Sequence, residues 1–342
     1  MDLLTRRIEA KDIFSNVDCV RIESPGENDE VTGRLIALGA RLGGVDWGES
    51  CPPPEHGRIW YGGQWAAGFL ATVKEFGEKL TFPRVWMNSP GAIALATDKV
   101  MTCRQLSDQR LATTRSLGFV TQFEQLLWVL RHQRVSRVFI KPRHGSSASG
   151  VVAFQSGRNR MLAITTTEMV EANGELRLYN SLRVRRYENP AEIAKLINAL
   201  GQHDMLHVER WMPKLSWQGR PFDLRVLTIA GKARHAVMRL GNGPITNLHL
   251  GGARGDLEAW QREHPSLWQT VVERVEQAAR IFTGDAYALY IGWDVLVSSD
   301  RRQVAIVEAN AFGDLLPGVL SDNQTSYEAE CWTFLEQTKR GR

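Results

Sequence analysis

The chain has 342 residues, more than one hydrophobic core usually holds, which predicts two or three domains. Forty-two basic against 38 acidic residues leave a net charge of +4, too small and too dispersed to point to nucleic acid. No apolar run approaches the roughly eighteen residues of a membrane span, and Met1-Asp-Leu-Leu-Thr-Arg-Arg lacks the apolar core of a secretory signal. Cys19, Cys51, Cys103 and Cys331 are far apart and form no metal or redox pair, so they read as reduced thiols of a cytoplasmic protein.

Residues 1 to about 90 read as a small α/β unit. A buried strand is predicted at 17–22 and a helix at 30–42, ending at Gly43-Gly44. No G-x-G-x-x-G joins them, which excludes a dinucleotide site. An irregular loop at 44–58 carries Cys51-Pro-Pro-Pro54. A helix at 64–79 and a short strand at 84–87 follow. Asn88 or Ser89 can then cap a helix with Pro90 in its first turn, and Thr97-Asp98-Lys99 can cap the next, which runs through Met101 and Leu106 with Lys99 at its start. Taken alone, Lys99 is an ordinary solvent-facing charge. Apolar residues from 119 to 133 recur at helical spacing.

Arg137-Val-Phe-Ile-Lys141-Pro142 and the run at 151–155 read as strands joined by Arg143-His-Gly-Ser146-Ser147-Ala-Ser-Gly150. Such a loop exposes N–H groups and hydroxyls that can close over phosphates; equally, it can be a plain Ser/Gly turn beside a surface lysine. It is no Walker A loop, because Lys141 precedes it, and the H-R-D and D-F-G motifs of a protein kinase are missing. Strands at 161–164 and 177–185 lead to a helix at 190–200. Leu206-His-Val-Glu209-Arg-Trp211-Met212-Pro-Lys214 then reads as a strand running into a linker. Asp223-Leu-Arg225 alternates along a strand, Gly231-Lys232 turns it, and Arg239 lies on the return. Two arginines on adjacent strands can clamp phosphoryl or carboxylate oxygens, or can form structural ion pairs. A glycine-closed loop, Asn247-Leu-His-Leu-Gly-Gly252, precedes one long amphipathic helix predicted over 260–282.

The last hairpin is the most informative stretch. Tyr290-Ile-Gly-Trp-Asp294 and Val-Glu308-Ala-Asn310 are strands joined by a polar turn, and period-two alternation puts Glu308 and Asn310 on one face. With Asp294 opposite, two carboxylates and an amide oxygen make an all-oxygen set suited to Mg²⁺. The same three residues also fit a solvent-facing edge hairpin. A closing helix is predicted at 327–337.

In order, these motifs resemble the ATP-grasp superfamily, in particular its RimK-like and glutathione-synthetase-like ligases. The resemblance covers roughly 88–318 and rests on Ile140-Lys141-Pro with its loop, Asp223-Leu-Arg225, Asn247-Leu-His-x-Gly-Gly252 and Glu308-Ala-Asn310. It implies an α/β (α+β) fold with three units. These are an N-terminal α/β pre-ATP-grasp domain (1–95), a central subdomain with the glycine-rich loop (96–206) and a C-terminal subdomain with the Mg-binding hairpin (207–342). ATP would lie between two antiparallel sheets. In family terms Lys99 and Lys141 would hold its α- and β-phosphates. Ser146, Ser147 and Gly150 would cover the triphosphate, and Glu209, Trp211 and Met212 would meet adenine. Arg225, Arg239 and Asn247 would serve the transferring phosphoryl and acyl groups. Asp294, Glu308 and Asn310 would hold two Mg²⁺ ions, with Mn²⁺ a possible substitute.

The chain departs from the family in three places. Pro213, Lys214, Leu215 and Ser216 stand where an acidic ribose ligand is usual, and Ala311-Phe-Gly-Asp-Leu-Leu-Pro-Gly318 replaces the usual small-residue–Pro–Gly continuation. Pro244-Ile-Thr246 stands where a RimK-like arginine is expected. The ATP half is kept and the acceptor half altered. The implied activity is a C–N-bond-forming ligase acting through an acyl phosphate, on a small carboxylic acid and an amine. The rivals are a peptide- or protein-modifying ligase (a macrocyclase or amino-acid-adding enzyme) and a nucleotide-binding regulator without turnover.

Overall fold

The computed structural model describes residues 19–25, 28–45, 47, 55–79, 85–145, 148–246, 251–312 and 316–340. Its N-terminal part joins a two-residue strand β1 (Cys19–Val20) in parallel with β2 (Val85–Trp86). The strand expected at 17–22 is therefore shorter, with residues 17 and 18 outside the described chain. Helix α1 (Asp29–Leu42) starts where the Asn28 side chain accepts from Val31 N–H. It packs on α2 (Gly62–Lys79) through Gly39 and Gly68. A Cβ on Gly39 would lie 1.8 Å from Gln64 O, and one on Gly68 2.0 Å from Leu35 O, so the two backbones touch.

Two short helices follow, α3 (Pro90–Thr97), capped by the Ser89 hydroxyl, and α4 (Lys99–Asp108), capped by the Asp98 carboxylate. Both caps fall where the sequence places them.

The first sheet holds β3 (Ser116–Val120), β4 (Arg137–Pro142), β5 (Val152–Ser156), β6 (Met161–Ala172), β7 (Glu175–Tyr187) and β8 (Leu206–Arg210). Its order is β3-β8-β4-β5-β6-β7, antiparallel throughout. Helices α5 (Phe123–Gln133) and α6 (Pro190–His203) pack on it, burying Leu126, Ile193 and Leu196 against Ile140, Phe154 and Val208. β8 spans the boundary expected at 206/207 and pairs with this sheet.

The second sheet holds β9 (Ser216–Trp217), β10 (Arg220–Ile229), β11 (Lys232–Leu240), β12 (Ala253–Arg254), β13 (Tyr290–Val297) and β14 (Val304–Asn310). Its order is β12-β11-β10-β13-β14, with β9 paired to β10, again antiparallel. The single helix expected over 260–282 is two, α7 (Leu257–Glu263) and α8 (Pro265–Ala279). The proline ring bars the preceding residue from helical geometry, and His264 sits at φ −130°, ψ 55°. Val271, Val275 and Trp260 bury against Phe222, Leu224, Trp293 and Val295. Helix α9 (Ser326–Arg340) closes the chain. Among the described residues no helix is long and apolar enough to cross a membrane.

Two connections tie the sheets together. Before β3, Ala112 O accepts from Ile306 N–H at 2.9 Å and Thr113 bridges to Ile306 on β14. After β8, Leu215 N–H donates to Val297 O (2.8 Å), Pro213 O accepts from Ser299 N–H (2.9 Å), and Lys214 bridges to Ser298.

The backbone contact between α1 and α2 makes a prediction. Gly68→Ala should lower unfolding free energy by about 1–3 kcal/mol, because a methyl has no space at that crossing. Urea denaturation of both proteins measures it, and unchanged stability would contradict the close approach.

Candidate functional site

Strand register assembles the first wall of the site. Asp223 and Arg225 are two apart on β10 and face the same way. Across the strands Asp223 pairs with Arg239, Arg225 with Asp294, Asp294 with Glu308, and Gly292 with Asn310. The side chains follow. Arg239 Nε lies 2.6 Å from Asp223 Oδ1 and its Nη2 3.1 Å from Asp294 Oδ2, while Arg225 Nε lies 2.8 Å from Asp294 Oδ1. A Cβ on Gly292 would stand 3.1 Å from Arg225 Nη1, so a side chain there would crowd the guanidinium. Asn310 donates its amide nitrogen to Gly292 O at 3.3 Å, which commits the nitrogen and not the oxygen.

Burial alone would raise the Asp223 carboxyl, but Arg239 and Lys214 outweigh it and hold it down at about 2. Arg239 is shifted the other way: burial opposes its charge, and Asp223 and Asp294 more than restore it.

The first sheet supplies the facing wall. Lys141, at the end of β4, is buried, with Nζ 2.7 Å from Glu209 Oε2 on β8. Thr114 Oγ1 donates to the same oxygen at 2.8 Å, and His207 Nδ1 lies 3.2 Å from Oε1. Burial pushes the Glu209 carboxyl up, but Lys141 and then His207 prevail and hold it at about 2. Lys141 likewise stays above its ordinary value, since Glu209 overcomes the cost of burial. Lys99 opens α4 and is also buried. Its Nζ donates to Gly145 O and lies 3.4 Å from Glu308 Oε1, so it bridges the loop after β4 to the last hairpin. Arg143, at the base of that loop, is 2.6 Å from the capping Asp98.

These walls enclose one cleft of about 1060 Å³, counting its open mouth. Nine of the residues predicted from sequence line it: Lys99, Lys141, Glu209, Met212, Arg225, Arg239, Asp294, Glu308 and Asn310. Two do not. Gly150 packs on Pro142, and its φ of +70° explains the glycine. Trp211 turns its ring onto Phe139, centroids 5.1 Å apart, and spends its backbone N–H on Arg137 O. Ser146, Ser147 and Asn247 lie outside the described residues.

The sequence reading missed Lys214, Thr246 and Thr114, all of which line the cleft. One signal pointed to Lys214: Leu215 and Trp217 are core residues, so alternation turns residue 214 to the opposite face.

Chemically, the cleft holds fixed charges of both signs, lysines and arginines beside carboxylates. Among the described residues no group of three or more His, Cys, Asp or Glu is arranged around a metal position. The candidate set is instead Asp294, Glu308 and the Asn310 amide, hard oxygen donors suited to Mg²⁺. Cys103, near this wall, is no nucleophile: burial first, then Glu209, push its thiol up to about 12.

The Glu209 pair fixes an acid dependence. Between about 2 and its ordinary 4.5 the unfolded chain binds the proton and the folded chain does not, so stability rises with pH across that window. Thermal melts from pH 5 down to pH 2.5 should show a falling Tm. Glu209→Gln should flatten that fall while lowering stability at pH 7 by about 3–5 kcal/mol, because Lys141 is left buried without its carboxylate. An unchanged acid slope in the variant would refute the assignment.

The family model described as YheC/D like ATP-grasp matches residues 96–312. No curated protein matches the chain. Among solved structures it is similar to the ATP-grasp ligase PsnB complexed with minimal precursor, Mg and ADP. That match has 16% identity over 80% of this chain and 68% of the other, at a TM-score of 0.44. It is also similar to the D-alanine–D-alanine ligase from Bacillus anthracis complexed with ATP (10%, 77% and 68%, 0.44). A third is the macrocyclase MdnC bound with precursor peptide MdnA from Microcystis aeruginosa MRC (11%, 80% and 69%, 0.46). Likenesses this distant say nothing of substrate. The family match covers more than half of the chain and agrees with the two antiparallel sheets facing one cleft: the chain belongs to the YheC/D-like ATP-grasp family.

Proposed function

We propose that the protein is an ATP- and Mg²⁺-dependent carboxylate–amine ligase of the broad type to which RimK-like and glutathione-synthetase-like enzymes belong. The observation that carries this reading is the strand register. It sets Asp294 opposite Glu308 and Gly292 opposite Asn310, in the same cleft as Lys99 and Lys141. Lys99 and Lys141 would bind the ATP phosphates, and the Met212 end of the linker, with Phe139 and Leu296, the base. Asp294, Glu308 and Asn310 would hold Mg²⁺, which supplies neutralisation of phosphate charge when bound.

In the first step a carboxylate oxygen of the acid attacks the γ-phosphorus, the bond to the β-phosphate oxygen breaks, and ADP leaves. Arg225 and Arg239 face the phosphoryl oxygens as charge shifts in that step. In the second step a neutral amine attacks the acyl carbon, phosphate leaves with the C–O electron pair, and the amine proton passes to solvent. Positioning and charge neutralisation carry both steps. This explains a cleft of lysines, arginines and oxygen ligands.

Two measurements test this. ADP and phosphate release from Mg-ATP should be stimulated by a small-molecule extract fraction. Stimulation by a polypeptide fraction alone would make the acceptor a peptide, and tight Mg-ATP binding with no stimulation would favour a regulator. Glu308→Gln should keep the circular dichroism spectrum and lose about 100-fold or more in turnover; a fully active variant would remove Glu308 from the metal set.

A further inference from the structure

Glu308 belongs to the candidate metal set, yet the fold already gives it a cation. Lys99, Cys103 and Leu106 lie on one face of α4. That face rests on β14: Leu106 joins Ile306 and Ala309 in the core, and the Cys103 thiol donates to Val307 O at 3.8 Å. The same packing brings Lys99 Nζ to 3.4 Å from Glu308 Oε1. Among the described residues no other base is in ion-pair range of Glu308.

The other carboxylate of the set is held differently. Asp294 has both oxygens against guanidinium groups, Oδ1 against Arg225 and Oδ2 against Arg239, and strand register fixes those contacts. Glu308 is held by an ammonium on a flexible four-carbon stem, and its side chain, 23% exposed, is open to the cleft. The second contact of Lys99 is Gly145 O, on the loop after β4. Lys99 is also the first residue of its helix, where the macrodipole opposes a cation. A flexible stem, two contacts and an opposing dipole make Lys99 an exchangeable partner. A divalent cation on Glu308 adds two positive charges beside an ammonium that already stands on that carboxylate, and like charges so close in a half-buried site repel strongly.

We infer that Lys99 and the divalent cation compete for Glu308, and that nucleotide phosphate ends the competition by drawing Lys99 onto itself. The inference rests on the ligase reading and adds regulation to that site. Metal alone binds weakly, metal with nucleotide binds well, and the chain takes up the two together. Part of that coupling comes from phosphate oxygens on the metal; the part carried by Lys99 is the part that a substitution removes.

The test reads Mn²⁺ binding to the full chain from the electron paramagnetic resonance signal of the unbound ion, without nucleotide and at saturating ADP. Without nucleotide, Lys99→Met should bind Mn²⁺ about tenfold or more tighter than wild type. Lys99→Arg, which keeps the charge, should show no such gain, and adding Glu308→Gln to Lys99→Met should abolish it. The factor by which ADP tightens Mn²⁺ binding should be smaller in Lys99→Met than in wild type. A damaged fold does not raise affinity, so a purely structural role of Lys99 cannot imitate this result. Mn²⁺ affinity in Lys99→Met equal to or below that of wild type, undetectable binding included, overturns the inference. So does a gain that survives Glu308→Gln or appears equally in Lys99→Arg, or an ADP effect undiminished in Lys99→Met. Each of these outcomes leaves the ligase reading standing when wild type binds Mn-ADP. Wild type without affinity for Mn-ADP overturns the ligase reading itself.

Discussion

Everything in the cleft depends on the register among β11, β10, β13 and β14. In that register Asp223 meets Arg239, Arg225 meets Asp294, and Asp294 meets Glu308. A slip of one residue would turn every one of these side chains to the opposite face. It would bury charges in the core and expose the core to the cleft. Buried ion pairs roughly break even against hydrophobic packing, so the row of charges does not hold the sheet together. The apolar face of the same strands does that work.

Strand β10 shows how one segment serves both ends. Phe222, Leu224 and Val226 face α8 and join the largest core cluster. On the other side Asp223 and Arg225 face the cleft, but Leu227 and Ile229 pack with Met87, Leu289, Tyr290 and Phe334. The cleft floor therefore ends where alternation passes from charge to hydrocarbon. Fixed charges held by backbone pairing need little rearrangement when substrate charge shifts, and such preorganisation is the main resource of phosphoryl-transfer sites.

Local chemistry was legible in the sequence. The caps at Ser89 and Asp98 were readable because a cap is a contact between residues three apart, and the D-x-R and E-x-N pairs because strand faces repeat every second residue. Burial was not. Lys99 looks like any charged helix start until Gly145 and Glu308 are folded onto it. In the sequence Lys214 is one of four residues standing where an acidic ribose ligand is usual, and only the pairing of its backbone with Ser298 brings it to Asp223. The break at Pro265 was in view, yet amphipathic spacing on both sides hid it. The ring of Trp211 packs on Phe139, a contact that its position in the linker does not reveal.

The two connections that tie the sheets share an anchor. The strand-like segments at Ala112–Thr113 and Pro213–Leu215 both hydrogen-bond to the β13–β14 hairpin, near Ile306 and Val297. With both crossings stitched to one hairpin, that seam is a fixed axis, and the sheets can part by rotating about it more easily than by sliding. Such rotation displaces atoms in proportion to their distance from the axis. Met212 lies next to the second crossing and so close to that seam.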